Sequence, residues 1–483
     1  VEYVWPIFHA FWFFCASFFF LLPSGLQASQ SLVAPAPEAA HLSNLSSWDD
    51  NQALRDLREG TEGRPLSISE AITTALAANP DLELASARVH EAREMIAEAR
   101  AAFWPSLQLY TEYLRGDAPS VHAFKRLDQR RLPLVDFDFN EPGVFQNFES
   151  GMLVHFNVFK GGEHVFRERI ARKGLRVQEL DRNAVTNDLV ASVIGAYFDA
   201  LAAGDHVNIA DQSVETVKSQ LHSVRVRYEG GSVLRSDLLS TEVRLAQAIE
   251  ERIRAKNRHA LSLLALAHVM GLQQTKGLEL SGGSWVPPTI PPCVEEGTRV
   301  ALASRPELRQ IREKTASARM GVGLERSAYL PALDLHIKAY VDDEKMKYDA
   351  DRGNWTVGFL LSWNLFTGFS TPARVNQARA RLAQAEAGDR QVSQAVILDV
   401  KRAYFLHSEA HARLKVTGKA ASQAEEAFRL VQIEYDRGSA GIVRYLDAEL
   451  AKNSALVAQA AAFYDFRRSQ ADVARALGHF ATD

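Results

Sequence analysis

Cysteine is nearly absent: Cys15 and Cys293 are the only two in 483 residues. They supply neither a disulfide framework nor a metal cluster. A basic surplus is missing too. Net charge is −4 with 24% charged residues, so the chain lacks the electrostatic footprint of a nucleic-acid binder. The fourteen histidines form no HExxH arrangement or similar ligand spacing, so no metal and no cofactor are expected. Beyond Leu22 no run comes near 18 uncharged apolar residues, so any later encounter with a membrane has to be made by strands. Proline is lacking from Glu163 to Tyr228 and again from Ala373 to Tyr435, which permits two helices of uncommon length.

The one long apolar run, Pro6 to Leu22, is followed by Pro23, Ser24 and Gly25 and reads as the core of a secretory signal cut after Ala28. No Lys or Arg precedes it, which leaves a membrane anchor as the alternative. Residues 29–65, rich in Pro, Ala and Ser and then mixed in charge, read as a flexible lead-in.

The remainder of the chain is written twice. Tyr228, Gly231 and Gly271 recur as Tyr435, Gly438 and Gly478, each 207 positions later. Asn79-Pro80-Asp81-Leu82 and Pro105 return as Arg305-Pro306-Glu307-Leu308 and Pro331, now 226 apart. A fixed spacing held over such a span marks an internal structural repeat, with 19 extra residues in the first copy between Pro105 and Asn157. The first repeat covers 66–271, a Gly- and Pro-rich linker 272–298, the second repeat 299–479, and a short tail 480–483.

Each copy opens on a helix. Ser67 and Glu70 have capping-box spacing, and Pro80 and Pro306 suit a first helical turn. Period-two segments come next, near 105–115, 147–159, 331–342 and 353–366. Leu333, Leu335, Ile337, Ala339 and Val341 face one way, while Asp334, His336, Lys338 and Tyr340 face the other. Met152, Val154 and Phe156 oppose His155 and Asn157 in the same manner. Strands apolar on one side, polar on the other and aromatic near their ends fit a membrane barrel with a wet interior, although a soluble sheet alternates as well.

A proline-free stretch of about 65 residues predicts a helix on the order of 100 Å, which no globular core can bury and which needs partners alongside. Glu229-Gly230-Gly231 and Arg437-Gly438 then reverse the chain into returning helices over 235–270 and 443–477. Four strands per chain leave two unpaired edges, and closing them in lipid requires further chains; three are favoured over two.

These features resemble the TolC-type outer membrane factor family, the exit ducts of bacterial efflux pumps and type I secretion systems. The likeness rests on Asn157-x-Phe159-x-Gly161-Gly162 and its looser copy at 364–369, on Tyr228-x-x-Gly231 followed by Asp237, on Tyr435-x-x-Gly438, and on the duplicated element order. It implies a mixed α/β membrane protein: a homotrimer with an outer-membrane β-barrel of four strands per chain, continuous with a long α-helical periplasmic barrel. It also implies conduction rather than catalysis, a periplasmic adaptor, and an inner-membrane transporter of RND, ABC or MFS type.

By the same resemblance the tips hold the working residues. Gly231 and Gly438 match turn glycines, with Tyr228, Gly230, Ser232, Tyr435 and Ser439 beside them as turn or adaptor-contact positions. Asp237 matches an acid that helps hold the channel closed, and Asp447 one that narrows the entrance. The chain departs from the family at Ala440, where a basic residue normally links to the first-tip acid, and at Arg444, where another acid stands. Arg444 or Arg235 is the candidate replacement for that link. His155, Asp334, His336 and Lys338 are candidates for the barrel lumen. A secreted structural or adhesive coiled-coil protein is the rival reading, but it leaves the paired, aromatic-ended strands unexplained.

Overall fold

The computed structural model describes residues 65–480 apart from short segments at 133–134, 136–137, 273–277, 283–284 and 348–351. The expected signal and lead-in, part of the linker and the last three residues lie outside the described residues.

Two copies of one element series emerge. The first runs α1 (Ile68–Ala78), α2 (Pro80–Ala101), β1 (Ser106–Gly116), α3 (Pro119–Asp128), β2 (Phe145–Lys160), α4 (Glu163–Glu229) and α5 (Arg235–Val269). The second runs α6 (Val294–Ser304), α7 (Pro306–Arg326), a 3-10 turn, β3 (Ala332–Asp343), β4 (Gly353–Ser362), α8 (Ser370–Asp436) and α9 (Ile442–Leu477). Both long helices, α4 and α8, contain 67 residues.

Local chemistry sets the boundaries. At α1, Glu70 N–H donates to Ser67 Oγ at 3.3 Å and Ser67 N–H to Glu70 Oε2 at 2.8 Å, a reciprocal cap. Asn79 caps α2 by accepting Asp81 N–H at 2.8 Å, and its amide donates to Val269 O at 2.8 Å, locking the start of α2 to the end of α5.

The strands pair antiparallel in the order β1-β2-β3-β4. The register puts Glu149 opposite Asp342, His155 opposite His336 and Lys338 opposite Thr356, so polar residues collect on one face. Leu109, Met152, Ala339 and Trp355 align on the other. A bulge between Asn157 and Phe159 ends the regular ladder just before α4 begins.

The core sits at mid-length of the long helices. In the first repeat Val193, Ile194 and Tyr197 of α4 pack on Ala71, Ala75, Leu266 and Met270. In the second, Val396, Val400 and Tyr404 of α8 pack on Ala301, Leu308, Val473 and Leu477. Tyr197 and Tyr404 occupy equivalent positions, and each hydroxyl satisfies linker backbone: Tyr197 donates to Ser281 O at 2.6 Å, Tyr404 to Pro291 O at 2.9 Å.

Three features differ from the sequence expectations. The β1–β2 connection contains α3, where only a loop is expected. The connection spans 28 residues against 9 between β3 and β4, which places the 19-residue excess there. Helix α6 begins at Val294 inside the expected linker, as the copy of α1 displaced by 226 positions. β4 stops at Ser362 rather than running to 366, and the chain then turns at Gly368 (φ +60°) into α8. Among the described residues no helix is long and apolar enough to cross a membrane.

Candidate functional site: the hairpin tips and the polar face of the sheet

Each tip is built by a glycine in the left-handed region, Gly231 at φ +72° and Gly438 at φ +77°. No heavy atom lies within 4 Å of where a side chain at either glycine would begin, so backbone angle alone requires them. Ser439 closes the second tip by donating from Oγ to Glu434 O at 2.9 Å. Ser232 and Gly230 remain on the exposed turn of the first.

The two tips lean on one another. Val224, Val431, Tyr435, Ile442, Tyr445 and Leu446 form a small apolar cluster that joins both hairpins. Here the tyrosines part company. Tyr228 is exposed, whereas Tyr435 is buried against the Tyr445 ring at 5.2 Å with the Arg227 guanidinium 5.1 Å from its own ring. Tyr435 is therefore a packing residue within the protomer and not a partner-facing one.

The charged tip residues differ in what they meet. Asp237 stands in the first turn of α5 and accepts the Leu234 N–H at 3.4 Å, a local cap. Arg444 pairs with Glu434 of the preceding helix at 3.1 Å, so within one protomer it does not reach Asp237. Arg235 and Asp447 are exposed near the starts of α5 and α9.

Sequence reading passes over a tie deeper in the helices. Glu449 of α9 is fully buried, 2.8 Å from Arg244 of α5 and accepting Ser213 Oγ of α4 at 2.8 Å. Asn453 donates to the same carboxylate. One buried acid thus links three helices from both repeats. Its partners Ser213, Arg244 and Asn453 line a cleft of about 500 Å³ together with His206, Gln247 and Val457. The signal for it was slight: Glu242, the equivalent residue of the first copy, meets only an exposed Arg225 at 3.3 Å, while Arg244 is replaced by alanine at 451.

On the sheet, the four lumen candidates share the polar face. The His155 and His336 rings lie 4.7 Å apart, His155 stands 3.5 Å from Asp334, and Lys338 is 2.7 Å from Glu149. Among the described residues no group of three or more His, Cys, Asp or Glu side chains is arranged to hold a metal ion.

The family model for outer membrane efflux proteins matches residues 71–272 and 298–479, one block for each repeat. The chain belongs to the outer membrane efflux protein family. Relatives include Protein CyaE of Bordetella pertussis, 24% identical over 437 residues covering 90% of this chain and 87% of that one. The alkaline protease secretion protein AprF of Pseudomonas aeruginosa is 25% identical over 431 residues, covering 87% and 86%. Among solved structures, the Campylobacter jejuni CmeC outer membrane channel superposes with a TM-score of 0.73 at 18% identity, covering 85% of each chain.

As an outer membrane efflux protein the chain is a channel and not an enzyme. It resides in the outer membrane of a Gram-negative bacterium, with strands in the bilayer and helices in the periplasm. The sheet has an apolar face that carries Leu109, Trp355 and Phe359 and an opposite face that carries Glu149, His155, His336 and Lys338.

Proposed function

We propose that this chain is the exit duct of a tripartite export machine. Three protomers close their sheets into a barrel, a periplasmic adaptor docks on the helical tips, and an inner-membrane transporter drives cargo through. The observation that carries this reading is the pairing of a two-faced sheet with two tip hairpins on matched 67-residue helices in one chain. Edges β1 and β4 have unsatisfied backbone groups in lipid unless neighbouring protomers pair with them. The relative whose name records alkaline protease secretion supports a polypeptide cargo.

The tips form the periplasmic constriction. Arg235 and Asp447 are exposed there, with Asp237 capping the same helix start, and a ring of three Asp447 carboxylates, one from each protomer, favours cations over anions. Ser232, Ser439, Gly230 and Tyr228 lie on the outer turn where an adaptor makes contact.

The test inserts a photo-crosslinking amino acid at Ser232 or Ser439 in cells that express the native export machine. Crosslinks to a periplasmic adaptor, and a trimer that dissociates only on boiling, are the expected results. A chain recovered as a monomer from the outer membrane, or free of adaptor crosslinks at both tips, would sink the reading.

A further inference from the structure

Two histidines stand opposite one another on the polar face of the sheet, near the end where β2 passes into α4. The register pairs His155 of β2 with His336 of β3, and their rings lie 4.7 Å apart. His155 Nε2 is 3.5 Å from Asp334 Oδ1, and Asn157 Nδ2 donates to the same oxygen at 2.7 Å. His164, in the first turn of α4, extends the chain of contacts with its Nε2 2.7 Å from Asn157 Oδ1. The His155 side chain is 46% exposed, open to solvent within the protomer.

The charges that flank this pair are themselves paired. Toward the outer end, Lys338 is 2.7 Å from Glu149 and 4.2 Å from the centre of the Tyr340 ring, and Tyr110 donates its hydroxyl to Glu149. Helix α3 sits on the same face there, with Lys125 2.5 Å from Glu149 and 3.0 Å from Asp342. The two lysines and two carboxylates of that cluster balance. At the other end Lys160 meets Glu163 at 3.2 Å, and Glu163 meets Arg167 at 2.7 Å. From the adjoining strands, Ser106 of β1 stands opposite His155 and Gly358 of β4 opposite His336, neither of them titratable. Asp334 and the two imidazoles therefore set the charge at this level of the sheet.

We propose that His155, His336 and Asp334, repeated in each protomer, form a belt that sets the charge preference of the barrel and reverses it as pH falls. This rests on the three-protomer closure proposed above, with the polar face inward and the apolar face on lipid. With neutral imidazoles the belt presents one Asp334 carboxylate per protomer and favours cations. Imidazole is the side chain that takes up a proton between about pH 8 and pH 5. A first proton on His155 neutralises the Asp334 beside it. A second on His336 leaves each protomer one net positive charge, and anions are then favoured. The rings titrate as a coupled pair, because a charge on one opposes a charge on the other. Twelve strands spaced about 4.8 Å and tilted about 40° enclose a backbone diameter of roughly 24 Å. Side-chain layers about 5 Å deep, half the spacing of packed sheets, leave a bore of roughly 14 Å. Its axis is about 7 Å from the wall, inside the Debye length of about 10 Å at 0.1 M salt, so the belt acts on whatever passes.

The test reads the local potential beside the belt. In a Cys15→Ser, Cys293→Ser background, Gly358→Cys puts a thiol opposite His336, where no heavy atom lies within 4 Å of a side chain's first carbon. Outer-membrane fragments carrying the full chain are treated with a cationic trimethylammonium or an anionic sulfonate methanethiosulfonate. The ratio of the two rates cancels the ionisation of the thiol itself. That ratio should favour the cation at about pH 7.5 and fall at least about tenfold by about pH 5.5. His155→Asn combined with His336→Asn should abolish the fall, and Asp334→Asn should lower the ratio already at neutral pH. Heat-resistant trimers whose ratio ignores pH, or falls equally in the double asparagine variant, would overturn the belt and leave the trimer standing. A thiol at position 358 that neither reagent reaches in such trimers would overturn it as well, since the polar face would then not line the bore. Absence of heat-resistant trimers in the unsubstituted chain would remove the belt together with the trimeric closure beneath it.

Discussion

Glu449 shows how one residue can matter more than its neighbours in sequence. Asp447, two positions earlier, is exposed near the helix start, while Glu449 is sealed between three helices with every oxygen engaged. Removing it leaves the Arg244 guanidinium and the Ser213 hydroxyl without their partner at the edge of the cleft. Glu449→Ala is expected to destabilise the protein by about 3–5 kcal/mol, and Glu449→Gln by clearly less because it keeps partners in Ser213 and Asn453. Denaturant unfolding in detergent checks the order, and equal losses for both would contradict it. The sequence offered little warning of this site. A glutamate among alanines in a long helix has the pattern of a solvated charge, and only the partner's position in space tells otherwise. Charges at the tips were legible because turn glycines locate the tips.

Among elements, the positive-φ glycines divide by surroundings rather than by angle. Gly231 and Gly271 share nearly the same conformation, φ +72° and +75°. A side chain at Gly231 would meet open space, whereas one at Gly271 would lie 2.3 Å from Ala78 O, where α1 ends against α5. Gly231→Ala is therefore expected to cost about 1–2 kcal/mol and leave assembly intact, while Gly271→Ala forces the α1–α5 contact apart and costs several. Thermal dissociation of the trimer ranks the two; an equal effect would mean that the close approach is not what selects glycine at 271. The long helices and the strands could be read from the sequence because each carries its own period over many residues. Helix α3 could not. Ten residues do not hold a helix alone, and what stabilises this one is its seat on a sheet formed by residues far away in the chain. Helix α6 was hidden by the prolines before it, although the 226-residue offset from α1 marks it once the repeat is applied strictly.

Across the whole molecule, the repeats are tied at mid-height by a charge cluster that both copies share. Buried Arg305 stands 2.5 Å from Asp399 and 2.8 Å from Glu307, and Arg475 bridges Asp399 at 3.0 Å to Asp188 of the first repeat at 3.5 Å. Although burial opposes their ionisation, hydrogen bonds and attraction from Arg305, joined by Arg475, hold Glu307 and Asp399 below the usual carboxylate range. Burial pushes Asp188 upward. For the two depressed acids the folded state binds fewer protons than the unfolded chain. Their stabilisation is complete above the ordinary carboxylate pKa of about 4 and is lost as pH falls through their lower folded values. Asp188 acts in the opposite sense, both with and without Arg305. Arg305→Gln should thus lower the melting temperature most near neutral pH, with the gap to the parent narrowing as pH falls below the ordinary carboxylate pKa of about 4. A gap independent of pH would assign the effect to packing instead. This cluster joins residues from opposite ends of the chain, and no local pattern announces it.

The equal length of α4 and α8 has a consequence for how such a chain can change over time. At 1.5 Å per residue each helix is a ruler of about 100 Å, and matched rulers bring both reversals to one level below the membrane. A single inserted residue in one of them would drop its tip by about 1.5 Å and turn it by about 100°, presenting a tilted, rotated rim to whatever docks there. Length changes in this protein should therefore be inherited in pairs, one in each copy; a whole turn added to one copy alone would restore the facing but still drop its tip by about 5.4 Å.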